Sequence, residues 1–265
     1  MKWNKEINKE GDYETLTTER IYAPNPFSGE KGIIEHLDRY NFALNFIKEI
    51  DIVLDAACGS GYGSEILATK AKQVIALDFS DHAIKYAQKN HSKKNIIFKK
   101  ADLNEKIELA DNLVDIVISF ETLEHILNQD IMLSEFKRVL KPDGKLIIST
   151  PDNDIISGGL KSDNPFHVKE LNKIQFLLLI ENFFSLIELY GQGILTKLPF
   201  WKMSLKKFRR ITFLRKVKQR LMKLLGLEKA VHSHFAAEAF TEITKIPVDQ
   251  KNSYYVLIAL CSNKK

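Results

Sequence analysis

Between Ile52 and Thr150 the chain repeats one unit: a short run of aliphatic and β-branched residues, then a longer stretch with helical spacing. The short runs are IVLDAA (52–57), QVIALD (73–78), NIIFKKAD (95–102), LVDIVISF (113–120) and GKLIIST (144–150). Nearly continuous apolar runs of this length are the pattern of strands buried on both faces. Helices are predicted over Ser60–Ala71, over Ser80–Asn90 behind a Ser/Asp cap, and over Asn128–Leu140. The turn Lys141-Pro-Asp-Gly144 leads into the fifth strand. A helix over about 33–49 precedes the first strand; a helix over 170–183 and strands over 184–191 and 254–261 complete the reading. Such alternation forces an α/β fold with a mostly parallel sheet and helices on both faces. Residues 1–31 read as irregular, punctuated by Pro24, Pro26 and Gly29.

Composition sets the outer limits. A chain of 265 residues that is 45% hydrophobic and 28% charged is globular and long enough for one large core. Two cysteines, Cys58 and Cys261, cannot make a disulfide framework, so a reducing, cytoplasmic compartment is expected. The start, MKWNKEINKEGDYE, lacks the apolar stretch of a secretory signal, and no apolar run is long enough for a spanning helix. The net charge of +5 is unevenly placed: residues 202–229 hold eleven Lys/Arg against one acid, Glu228, which leaves the rest net acidic. That asymmetry points to an anionic partner for one segment, not to a chain that binds nucleic acid throughout.

Open α/β sheets bind ligands beyond the carboxyl ends of their strands. After the first strand stands Asp55-Ala-Ala-Cys-Gly59-Ser-Gly61-Tyr-Gly63, a glycine-rich turn that allows close approach to the backbone at a helix start. After the second stands Asp78, placed to accept hydrogen bonds from a ribose diol; after the third, Asp102; after the fourth, Phe120-Glu121. A glycine turn alone is weak evidence, but an acid behind each of the next three strands makes an ordered set. The turn reads G-x-G-x-G with Asp55 inside the strand, which departs from the G-x-G-x-x-G of dinucleotide-binding dehydrogenases.

With these residues the sequence resembles the class I S-adenosylmethionine (SAM)-dependent methyltransferases. The stretches that carry the likeness are VLDAACGSGYGS (53–64), VIALDFS (74–80), ADLNE (101–105), FETLEHI (120–126) and EFKRVLKPDGKLIISTP (135–151). The resemblance implies a Rossmann-like sheet of seven strands, the last antiparallel, and SAM as cofactor. It places Asp55, Gly59 and Gly61 around the methionyl part, Asp78 on the ribose, Asp102 on the adenine amino group, and Phe79 and Leu103 beside the adenine. Glu121 and the chain to His125 would lie near the sulfonium and the acceptor. Residues 19–43 and NPFHVKEL (164–171) resemble segments of methyltransferases from bacterial surface-polysaccharide clusters. That likeness implies O-methylation of a sugar hydroxyl or sugar-linked group. Another small metabolite, such as a quinone precursor or natural product, is the alternative acceptor, and a non-catalytic SAM-binding module is a second alternative. The fourth strand end lacks the Asn/Asp-Pro-Pro-aromatic motif of nucleic-acid amino methylation, which counts against nucleic acid.

A sugar hydroxyl is a poor nucleophile and calls for a general base. His125, His167 and Glu124 are the candidates, each weighed against a local packing or capping role. Arg20 and Tyr22, in a segment able to close as a lid, are candidate acceptor contacts, and Arg20 can hold a carboxylate or phosphate in a bidentate pair. His36, Arg39 and Tyr40 share one turn of the first helix and face either the pocket or solvent. His232 and His234 have metal-like spacing but no third ligand nearby in sequence, and no metal is expected.

The chain thus divides into a cap segment (1–31), a SAM-binding core (32–191), a basic helical insertion (192–253) and a last core strand with its tail (254–265). In the insertion Phe208, Ile211, Leu214, Val217, Leu221 and Leu224 recur at helical spacing between basic residues. Three readings stay open for it: a lid or packing helix, an anionic membrane surface at the inner face of the membrane, or nucleic acid. The sequence leaves the oligomeric state open.

Overall fold

The computed structural model describes residues 31–160, 164–194, 242–248 and 254–263. Strands β1 (Ile52–Ala56), β2 (Gln73–Asp78), β3 (Ile96–Lys100), β4 (Val114–Ser119), β5 (Leu140–Pro151), β6 (Phe184–Ile194), β7 (Ile243–Lys245) and β8 (Tyr254–Asn263) form one sheet in the order 3-2-1-4-5-8-6-7. β1 to β5 are joined by parallel pairings, and β8 runs antiparallel to both β5 and β6. The helices are α1 (Lys31–Ala43), α2 (Tyr62–Leu67), α3 (Asp81–Asn90), α4 (Gln129–Val139), α5 (Asn153–Ile156) and α6 (Lys173–Phe183).

The alternation of side chains along each strand divides the core in two. Val53, Val74, Ile116 and Ile147 point to the face covered by Tyr40 and Ala43 of α1, Leu67 next to α2's last residues, and Ile84 and Ala87 of α3. Leu54, Ile75, Val117 and Leu146 point the other way, onto Met132, Leu133 and Phe136 of α4 and Phe176 and Ile180 of α6. Both faces of β1 and β4 are therefore covered, which is why their sequences read as apolar runs and not as alternations. The order reverses between β1, whose chain moves outward to β2 and β3, and β4 on its other side. Ligand sites in open sheets open at that reversal.

The caps follow the sequence signals. Ser80 accepts a hydrogen bond from the Ala83 N–H at the start of α3 (3.2 Å), and Asn172 and Gln175 make a reciprocal capping box at the start of α6. Four features differ from expectation. The sheet has eight strands, not seven: β7 lies within the stretch read as helical insertion and pairs with β6 at the sheet edge. Three residues are too few to show a period of two. α2 is half the predicted length, starting only after the second turn glycine, Gly61, which is left-handed (φ 89°). α5 is a single turn capped by Asp152, too short for a periodicity signal. The turn Lys141–Gly144 is an irregularity inside β5, whose register against β4 slips between Leu140 and Lys145. A Cβ on Gly144 would lie 2.9 Å from the Lys141 carbonyl oxygen, so glycine is needed there. Arg20, Tyr22 and the basic residues 202–229 lie outside the described residues.

Candidate functional site

At the end of β1 the carboxylate of Asp55 is buried, with one hydroxyl donor on each oxygen. It accepts from the Ser64 hydroxyl of α2 (2.6 Å) and from the Tyr40 hydroxyl of α1 (3.1 Å). Burial pushes the Asp55 carboxyl up to about 6, while the two hydroxyl donors pull it back down. Its contacts tie α1 and α2 to the sheet. The turn that follows places Ala57 and Gly59 in the left-handed region (φ 67° and 56°). The two motif glycines serve different ends. A Cβ on Gly61 would meet the Ala87 Cβ at 2.6 Å, so Gly61 lets α3 approach. A Cβ on Gly59 would meet nothing within 4 Å, so its open face is available to a ligand.

The Asp78 carboxylate, at the end of β2, accepts the Gly59 N–H on one oxygen (2.9 Å) and the Ser80 N–H on the other (2.8 Å). It is thereby fixed against the glycine turn. A carboxylate has about four lone-pair sites, and each Asp78 oxygen accepts one of these backbone N–H groups. Next to it Phe79 is 64% exposed, the one aromatic side chain among the exposed large hydrophobic residues described. Beyond β3, Asp102 Oδ1 accepts from the backbone and side-chain amides of Asn104 (2.8 and 2.9 Å), and Leu103 is buried. Asn104, which the sequence reading passed over, also accepts the Leu127 and Asn128 N–H groups and so joins the β3 and β4 ends.

After β4, Glu121 is left-handed (φ 50°), a conformation that costs a non-glycine residue about 1–3 kcal/mol and persists where neighbours impose it. Ser149 of β5 imposes it: its hydroxyl accepts from the Glu121 N–H (3.1 Å) and donates to Glu121 Oε1 (2.7 Å). A single 3-10 turn, Leu123–His125, follows. In it Glu124 is 1% exposed and accepts from the Thr150 hydroxyl (3.2 Å). Burial, reinforced by the charge of Glu121, pushes the Glu124 carboxyl well above the usual carboxylate range.

The loop over 164–170 closes against this turn. The Val168 and Lys169 N–H groups both donate to the Glu124 carbonyl (2.9 and 3.1 Å), and Gln129 donates to the carbonyls of Leu123 and Lys169. His125 Nδ1 meets the Phe166 carbonyl (3.0 Å), and His167 Nδ1 meets Glu170 Oε1 (2.6 Å). The two imidazoles stand edge to face with ring centres 5.0 Å apart. The structure thus brings all three candidate bases, 43 residues apart at the extremes of Glu124 and His167, into one cluster: one ligand-type atom from each of Glu124, His125 and His167 lies within 4.8 Å of the others. Behind them Arg39 of α1 is 2% exposed, donates to Gln192 of β6, and has a buried Nε with no hydrogen-bond partner.

Residues 47–208 match a protein-family model described as a methyltransferase domain. The chain belongs to that family. The chain is 36% identical over 130 residues to a protein of Mycolicibacterium smegmatis named a probable S-adenosylmethionine-dependent methyltransferase, covering 49% of each chain. It is 33% identical over 113 residues to the human mitochondrial ubiquinone biosynthesis O-methyltransferase, covering 41% of this chain and 31% of that one. It spans about half or less of the length of these curated relatives. Among solved structures, the YcgJ protein of Bacillus subtilis superposes with a TM-score of 0.57 at 12% identity, over 87% of this chain and all of that one. The [4+2]-cyclase SpnF superposes equally well, 0.57 at 15% identity over 92% and 87%. At such identities the superpositions show the fold alone. The mycobacterial relatives are named as S-adenosylmethionine-dependent.

Proposed function

We propose that the chain transfers a methyl group from SAM to a hydroxyl oxygen of a small, polar acceptor. The observation that supports this most is the convergence at one sheet end of an open glycine turn and a Glu/His/His cluster, separated by the β1–β4 reversal. The residues fit SAM on their own terms. Gly59 leaves open space where a side chain would stand, Asp78 is rigid beside it, and Phe79 offers an exposed aromatic face. In this reading Asp78 accepts the ribose hydroxyls, Phe79 and Leu103 flank the adenine, and Asp102 accepts from its amino group. Asp55 with Gly61 holds the turn that Gly59 presents to the methionyl part, and Glu121 borders that part from the β4 side. When bound, SAM supplies a methyl group on a sulfonium, open to in-line displacement by an aligned oxygen.

The protein's share of the chemistry is alignment, exclusion of water and removal of the acceptor's proton. His125 and His167 flank the same space, and either can take that proton, with Glu124 next to them. Arg20 and Tyr22, from the cap segment, would contact the acceptor. A sugar hydroxyl or sugar-linked group in surface-polysaccharide synthesis is the acceptor class we favour, on the likeness of residues 19–43 and 164–171. The similarity to an enzyme named as a ubiquinone biosynthesis O-methyltransferase favours a second reading, a phenolic quinone precursor. Residues 202–229 would hold the enzyme to an anionic membrane surface if the acceptor is lipid-linked; no described helix is long and apolar enough to cross a membrane.

The experiment is calorimetric titration with SAM and S-adenosylhomocysteine, followed by a screen of nucleotide sugars against dihydroxyphenols with product mass as readout. Binding with a gain of one methyl on a sugar hydroxyl supports the favoured acceptor. A methylated phenol moves the proposal to the second reading. Absence of SAM binding by the folded protein overturns both.

A further inference from the structure

Resting on the methyltransferase reading, we propose that Glu124, His125 and His167 bind a divalent transition-metal cation that orients the acceptor oxygen. Each imidazole is anchored from outside the cluster. The Phe166 carbonyl can only accept, so His125 Nδ1 carries the ring proton and Nε2 carries the lone pair. His167 Nδ1 stands 2.6 Å from Glu170 Oε1, which fixes that ring in the same tautomer. A ligating histidine bound through one nitrogen and held through the other by a carbonyl or a carboxylate is the usual arrangement around protein-bound metals. Both kinds of partner are present here, one on each ring.

The third ligand is equally prepared. Thr150 holds one oxygen of Glu124 at 3.2 Å, and the other oxygen faces His125 Nε2 at 3.9 Å. That gap is too long for a hydrogen bond. Metal–ligand bonds of about 2.0–2.2 Å in a tetrahedral site put ligand atoms about 3.4 Å apart, so a small torsion of either side chain closes it. Two imidazoles and one carboxylate suit zinc, iron or manganese ahead of magnesium or calcium, which take mainly oxygen ligands. Three protein ligands leave a position for an outside oxygen, as catalytic sites do and purely structural sites do not. His125 is partly exposed, so the cluster has a side from which an acceptor enters. A hydroxyl bound to a metal loses its proton more readily, so that with both histidines held as ligands the proton passes to solvent water on the exposed side of His125, in place of the histidine base.

The test uses the full-length protein, stripped with a chelator, and titrated separately with zinc, manganese and SAM by calorimetry. We expect one equivalent of zinc or manganese to bind. His125→Gln and His167→Gln should each weaken that binding by at least about tenfold, and Glu170→Ala, which removes only the anchor of His167, by roughly 10–100-fold. Cobalt(II) should give visible bands that change in each His variant, and circular dichroism checks that the variants fold. Failure of the chelated protein to bind either metal, with SAM binding intact, overturns the metal site and leaves the methyltransferase reading standing. Metal binding that is indifferent to all three substitutions belongs elsewhere in the chain and also overturns it. Loss of SAM binding by the unsubstituted protein points to failure of the underlying reading instead.

Discussion

The turns after β1 and after β4 lie on neighbouring strands and are built on opposite plans. The first is backbone and small side chains: Ala57, Gly59 and Gly61 at positive φ, with the carboxylates of Asp55 and Asp78 tied by hydroxyl and N–H donors. The second is made of titratable groups, Glu121, Glu124 and His125, completed from β5 by Ser149 and Thr150 and from the 164–170 loop by His167. A turn built from locked backbone presents a fixed shape to a ligand that is always the same. A turn assembled from side chains on three segments can change chemistry with few substitutions. The difference teaches where constancy and variety reside in this fold: the side proposed for the cofactor is rigid by construction, and the side proposed for the acceptor is composite.

Substitutions should separate the two turns. The largest effect belongs to the composite one: His125→Ala and His167→Ala should lower turnover by about 10²–10⁴-fold while leaving SAM affinity within about twofold, read from initial rates and calorimetry. If SAM affinity falls with turnover, the two turns are not independent and the comparison fails. Next come the rigid turn's own costs. Gly61→Ala should destabilise by about 3 kcal/mol, from the left-handed backbone together with the overlap on Ala87, measured by urea unfolding.

Asp55 adds a pH signature of similar size. Its carboxyl stands at about 6 in the folded protein, mainly through burial, against about 3.9 unfolded. The folded state therefore holds the proton more tightly, and stability present below about pH 4 is lost as the pH rises to about 6. The loss is about 3 kcal/mol relative to Asp55→Asn, which lacks the titration, and unfolding curves across that range measure it. A parallel pH profile in the variant would mean that the carboxylate is better solvated than its position indicates. Asp78→Ala should cost SAM binding about 1.5–3 kcal/mol with turnover at saturating SAM little changed, the reverse of the histidine pattern. The smallest effect, about 1 kcal/mol of stability and none on SAM, is expected for Asn172→Ala at the α6 cap, remote from both turns.

The same contrast decides what could be read in the sequence. The rigid turn is contiguous, and its signals are local: glycines for positive φ, a serine cap on α3, an acid closing β2. All were legible, as were the core strands β1, β2 and β4, whose apolar runs are as long as the strands. The composite turn yielded its parts without their arrangement. Glu124, His125 and His167 could be singled out, but their meeting depends on Phe166 lending a carbonyl and on two N–H groups docking on Glu124. Backbone partners have no side-chain identity and leave no trace in the sequence. Asn104 and Ser149 were missed because each acts across strands, at separations of more than twenty residues. β7 and α5 escaped because one turn or three residues carry no period. The different duties of Gly59 and Gly61 were invisible, since only the packed neighbours Ala87 and Phe98 distinguish them.

The pairing of β6 with β7 has a consequence for the chain that joins them. The backbone stays in the sheet to Ile194, the end of β6, and returns at Ile243, the register partner of Gln192. The chain between Ile194 and Ile243 thus connects two strands that are neighbours in the sheet. The entropy of closing such a connection grows only with the logarithm of its length, about 0.6 kcal/mol per doubling. The sheet therefore fixes where the two ends of that connection stand, and chain entropy alone constrains its length only weakly.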